Sequence, residues 1–365
     1  MDDLLIGLGL ENQQVGDLAS SVQFGFIAGT LLFAVLSLAD RISPSKLFFA
    51  SALIGAILNV CSIWDQHNWY TLLFTRFGVG FFLAGIYPVG MKIAVDHFSS
   101  GLGKSLSFLV GALVLGTALP HLIGDLTVDC PWEWILACTS ILAFSGGLLM
   151  LLFVPDGPHR REAQEFQADS VVVVFRVPRF RTAALRYFGH MWELYTFWTF
   201  VPLLLITYND INSGNDINCA LNSFAIIGIG GISSILGGLL SVKYGVKRIA
   251  LIALSGSLIC ILISPIVIHY FSSSMYVLFL LTWGILVIPD SPMFSTLVAQ
   301  NAEPTLKGTA LTIVNCIGFA TTIISIQIVQ WLLQYTDISH AMLILAIGPI
   351  LGLFFVNKPH NLSKS

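Results

Sequence analysis

The sequence predicts an all-α, polytopic membrane protein, and three observations carry that prediction. The chain of 365 residues is 56% hydrophobic and only 10% charged, whereas a water-soluble surface needs about a quarter of the residues charged. Its apolar residues gather into eleven windows of about the 20 residues that one bilayer crossing takes. Its basic residues sort almost completely onto alternate connectors, as they do when basic loops stay on one side of a membrane. The same composition excludes other classes. A net charge of −3 offers no basic surface for nucleic acid. Six cysteines are too sparse for a disulfide framework.

The windows run 17–38, 47–64, 69–94, 102–124, 133–154, 182–208, 220–241, 249–269, 275–300, 308–333 and 338–356. Polar or Gly/Pro-rich breaks separate them: LADRISPSK after the first, DQHN after the second, SSGLGKS after the third, LTVDCPWE after the fourth. Further on come NDINSGNDINC, the VKYGVKR turn, HYFSSS and QYTDISH. Connectors this short require neighbouring helices to run antiparallel. The exception is 155–181, PDGPHRREAQEFQADSVVVVFRVPRFR, dense in charge. It divides the chain into an N-terminal half of five crossings, 1–154, and a C-terminal half of six, 182–365. Within it, the run Val171 to Phe175 suits a short strand or an amphipathic turn.

Of the 17 Lys and Arg residues, 16 fall on one set of connectors, from Arg41 and Lys46 through Lys243, Lys247 and Arg248 to Lys364. The opposite set has none, and Arg76 lies inside a window. The expected topology therefore puts the C-terminus in the cytoplasm and the N-terminus outside. Residues 4–10, LLIGLGL, are too short to cross and lack the basic start of a signal peptide.

Two connectors at equivalent places in the halves look alike. LSLADRISPSK at 36–46 and GGLLSVKYGVKR at 237–248 both resemble the loop signature of the major facilitator superfamily, which follows the second helix of each six-helix half. Asp40 and Arg41 match its acidic and basic pair, while Leu36 and Ser43 replace its glycines. In the second copy Gly238, Gly245, Lys247 and Arg248 fit, and Ser241 replaces the acid. The resemblance implies a two-half helical bundle with a central site and alternating access. It aligns 17–38 with the family's second helix, so a first helix is expected upstream and the chain is expected to be a truncated gene model or a shortened form. It also implies a gate in which Asp40 faces the helix starting near Gly308 and Arg41 pairs with Asp96.

Ionisable residues inside a bilayer are costly and mark substrate or proton pathways. Arg76 lies about 10 Å from the outer end of its window, a candidate for binding an anion or relaying protons, or for a structural ion pair. Glu193 lies about 16 Å into its window, near the midplane. His190, three residues earlier, shares its helical face. Such a pair can exchange protons with a gradient, or the two groups can simply satisfy each other. Trp192 and Tyr195 flank Glu193 as candidates for a substrate-stacking wall. Asp290 stands between Pro289 and Pro292, where the helix loses backbone hydrogen bonds, an arrangement used at transporter sites. Gln23, His121, Asn222 and Asn315 suit helix-to-helix hydrogen bonds.

Other leads fail on spacing. SSGLGKS lacks the glycine that a phosphate loop needs five residues before its Gly-Lys pair, and position 98 is Phe98. His190 and Glu193 have no third metal ligand. Cys130 and Cys219 share the outer side and could pair, and Asn361 sits in a glycosylation pattern on the wrong side. The expected function is a secondary active transporter of a small solute, driven by protons across a plasma or inner membrane. No enzyme activity, cofactor, metal or nucleic acid is expected, and a monomer is. The competing reading is a non-transporting sensor or an intramembrane enzyme on the same scaffold.

Overall fold

The structure, a computed structural model, describes residues 14–64, 68–98, 102–127, 131–160, 175–212, 217–303 and 307–354. Residues 171–174, Cys130 and Asn361 lie outside them. Among the described residues there is no strand, and each of the eleven windows is helical. The helices are α1 (Val15–Val35), α2 (Pro44–Cys61), α3 (Trp69–Leu83), α4 (Tyr87–His97), α5 (Leu102–Leu126), α6 (Glu133–Phe153) and α7 (Pro178–Ile211). After these come α8 (Cys219–Tyr244), α9 (Val246–Tyr270), α10 (Ser273–Leu286), α11 (Asp290–Asn301), α12 (Lys307–Leu332), α13 (Ile338–Ala341) and α14 (Ile347–Phe354).

Nine spans among the described residues are long and apolar enough to cross a membrane, with α3–α4 and α10–α11 each counted as one. The other two windows hold α7, rich in Tyr, Trp and Phe, and the shorter stretch 338–354. The chain is a multi-pass membrane protein, and eleven crossings are compatible with this arrangement.

Local chemistry sets the ends and breaks. Asn68 and Asn218 cap α3 and α8 by accepting the amides of Thr71 and Leu221 at 2.9 Å. Between α3 and α4 the helix tightens into a three-residue turn, with the amides of Gly85 and Ile86 bonded to Phe82 and Leu83. Pro88 has no amide to continue the ladder there. Pro289 and Pro292 break α10 from α11 in the same way. Gly245, at φ 88°, makes the turn from α8 into α9 that a side chain would strain.

Helix α1 packs along α3, and α2 along α6. Helix α7 lies at the centre of the later helices against α11, α12 and α14, with 19 of its 34 residues buried. Two seams join the earlier helices to the later ones, α5 on α8 and α1 on α12. Along the first, a Cβ added to either Gly111 or Gly231 would lie 2.9 Å from the other's carbonyl oxygen. This is backbone against backbone, as small residues allow between helices in lipid. Along the second, Phe26 and Phe319 meet with ring centroids 4.3 Å apart. Gln327 there donates to Asp17 at 3.1 Å and Ser20 at 3.0 Å.

Candidate functional site

A cavity of about 820 Å³ opens between α1, α3, α5, α6 and the near face of α7. Its walls are mostly apolar, and its polar lining includes Gln23, Ser62, Arg76, His121 and Thr199. Arg76 donates from Nη2 to Ser62 Oγ at 2.5 Å, and Ser62 in turn contacts Thr75 Oγ1 at 3.1 Å. Among the described residues no carboxylate pairs with Arg76, and its Nε has no hydrogen-bond partner. Among the described residues the buried Gln23 Oε1 and Trp198 Nε1 also lack partners. Two donors and an acceptor thus line one cavity unsatisfied, a costly state that a polar ligand would relieve.

Tyr195 and Trp198 form the α7 wall, their rings 5.1 Å apart and edge to face. Phe319 stands 5.1 Å from Tyr195. Glu193 is not on this wall. Two residues along a helix turn the side chain by about 200°, so Tyr195 and Glu193 leave α7 on opposite faces. The expected single wall is corrected accordingly: Tyr195 lines the cavity, and Glu193 points into the later helices. Trp192 does neither; its indole donates to Ile344 O at 3.1 Å and anchors α7 to the last helical segment.

On the face away from the cavity lies a buried polar cluster. Glu193, 1% exposed, accepts from Trp283 Nε1 at 2.8 Å and Ser257 Oγ at 2.9 Å. His190 Nδ1 lies 2.9 Å from Asp290 Oδ1, and both side chains are sealed from solvent. The alternative in which His190 and Glu193 satisfy each other gives way to separate partners from α9, α10 and α11. The spacing argument put His190 and Glu193 on one face correctly, but Ser257, Trp283 and Asp290 reach them from 64 to 100 residues away. His190 Nε2 has no partner among the described residues. Of the weaker candidates, Asn315 accepts from Tyr187 at 2.8 Å and Asn222 donates to Asn218 O at 2.8 Å.

The expected gate is arranged differently. Lys92 Nζ bridges Asp40 Oδ1 at 2.8 Å and Asp96 Oδ2 at 3.3 Å, while Arg41 is exposed. The expected Arg41–Asp96 pair is thus replaced by Lys92, which sits one helical turn before Asp96 and reaches it without leaving α4. Asp40 finds a partner on α4; the expected contact near Gly308 lies outside the residues whose side chains are described. Arg160 donates to the carbonyls of Asp40 at 2.9 Å and Ile42 at 3.0 Å, and pairs with Asp156 at 2.5 Å. A hydrogen bond from Ser43, with the charge of Arg160, holds the Asp156 carboxyl below its ordinary range. Ser37 at φ 49° sets the loop's entry. Lys92 was discoverable from its spacing to Asp96; Arg160, more than 110 residues from its acceptors, was not.

A family model of the Major Facilitator Superfamily matches residues 3–326. The chain belongs to the Major Facilitator Superfamily. A relative from Didymella fabae, the Ascochitine biosynthesis cluster MFS transporter, is 30% identical over 136 residues. That match spans 36% of this chain and 26% of the relative. Among solved structures, a D-xylose-proton symporter is similar with a TM-score of 0.76 at 16% identity, over 97% of this chain and 89% of that one. At that identity the likeness is one of fold.

Proposed function

We propose that this chain is a secondary active transporter that moves a small solute by proton-coupled alternating access, rather than an enzyme. It lies in a cell membrane with its C-terminus cytoplasmic. Membership of the superfamily supports the class, and the names of its relative and structural neighbour agree with it. The observation that carries the coupling is the two-faced character of α7. One face presents Tyr195 and Trp198 to the cavity; the other holds Glu193 and His190 against Ser257, Trp283 and Asp290.

In this reading Arg76 receives an anionic or acceptor group of the solute, with Tyr195 as wall and Trp192 fixing the helix. Glu193, His190 and Asp290 handle the proton. A charge sealed from water is costly unless fully paired, so a proton gained or lost at Glu193 changes how α7 packs on α9 and α10. The cavity face of the same helix moves with it. Asp40 and Asp96, joined by Lys92 and flanked by Arg41, stiffen the cytoplasmic end while 1–154 and 182–365 rock about the linker 155–181.

The test is uptake into proteoliposomes under an imposed pH gradient, with a panel of small solutes. Wild type should concentrate a solute against its gradient. Glu193→Gln should lose that accumulation and keep solute exchange at equal pH. If no solute moves under any gradient, the proposal falls.

A further inference from the structure

A second groove, about 900 Å³, lies away from the central cavity at the Gly245 turn. Its mouth carries Lys247 and Arg248, both exposed, and its floor is the α9 stripe Ile252, Gly256 and Ile259, closed on one side by Leu297 of α11. Ile252 and Ile259 are 57% and 58% exposed, so among the described residues no helix covers these two side chains. Exposed Lys243 stands beside the mouth, its Nζ 5.2 Å from the centre of the Tyr244 ring. No acidic residue among the described residues lines the groove.

The distance from Val246 to Ile259 is about 20 Å along the helix axis, against a hydrocarbon core of about 30 Å. The groove therefore runs from the basic end of the bundle through more than one leaflet's depth. Helix α9 is the most apolar of the nine spans among the described residues. We infer that this groove holds one anionic phospholipid. Its phosphate sits at Lys247 and Arg248 with Lys243 at the rim, and an acyl chain lies along Ile252 and Ile259. Charge complementarity selects an anionic headgroup over a zwitterionic one. The apolar floor selects a lipid over a soluble phosphate, which would occupy the mouth and leave the stripe bare. This inference is independent of whether the chain transports anything.

The experiment is native mass spectrometry of the detergent-purified full chain, scoring retained dioleoyl phosphatidylglycerol against dioleoyl phosphatidylcholine. Wild type should retain the anionic lipid about tenfold better. The pair Lys247→Gln with Arg248→Gln should fall to the zwitterionic level. Because basic loops also guide insertion, a second variant, Ser255→Phe, fills the groove with the charges intact and should lose the same adduct. Equal retention of both lipids by wild type overturns the inference. So does full displacement by millimolar inorganic phosphate, which would mark a soluble-anion site, or undiminished retention in Ser255→Phe.

Discussion

At the scale of single residues, the buried His190–Asp290 pair is costly to break from one side only. Removing one member leaves the other polar and sealed, at a cost of about 3–5 kcal/mol. Asp290→Asn should therefore lower the melting temperature sharply, while the double change His190→Leu with Asp290→Leu should recover most of the loss. Equal destabilisation by both would show that the pair is not the cause. At this scale the sequence is least legible. Helical spacing tells which side chains share a face, which is why His190 and Glu193 were grouped. It does not tell what that face meets, so Trp283 and Ser257 went unseen. Of the two wall candidates only Tyr195 lines the cavity, and Glu193, two positions away, leaves α7 on the opposite face because side chains diverge by about 100° per residue on a helix. Arg76 was singled out because a lone cation in an apolar run is conspicuous; its Ser62 partner was not.

At the scale of elements, caps and breaks were legible, because Pro, Gly and Asn act on the backbone locally. Nine of the windows hold helices long and apolar enough to cross, because bilayer thickness imposes a length that hydropathy records, and eleven crossings are compatible with the rest. Helix α7 reads more weakly, since a helix buried in protein need not be greasy all round. The segment α13–α14 begins with a cap whose stability depends on pH. Asp337 accepts the amides of Ser339 at 2.9 Å and His340 at 3.1 Å. Burial alone would raise its carboxyl, but hydrogen bonds from Ser339 and His340 outweigh that and hold it at about 2. A depressed folded-state value means that the contribution is complete above the ordinary carboxylate range, about pH 4, and is lost as the pH falls through about 2. Hydrogen exchange of the 338–346 amides should accelerate across that window relative to α10. Asp337→Ala should remove the dependence and cost about 1 kcal/mol.

At the scale of the whole molecule, the two seams decide what can move. The α1–α12 seam is held by Gln327 on Asp17 and Ser20, contacts that rocking must break if the proposed mechanism holds. In a chain cleared of its native cysteines, Ser20→Cys with Gln327→Cys should form a thiol crosslink that arrests uptake, and reduction should restore it. Uptake that continues through the crosslink would show that this seam stays closed during the cycle. The α5–α8 seam is of another kind. Where Gly111 meets Gly231 the two backbones touch, with the side chains of Leu115 and Ile235 packed beside them, so this contact acts more as a bearing than as a zipper. In a saturation mutagenesis experiment the bearing would surface as a narrow track of intolerance running down two helices. Along it even alanine is penalised, while the apolar positions either side accept almost any aliphatic residue.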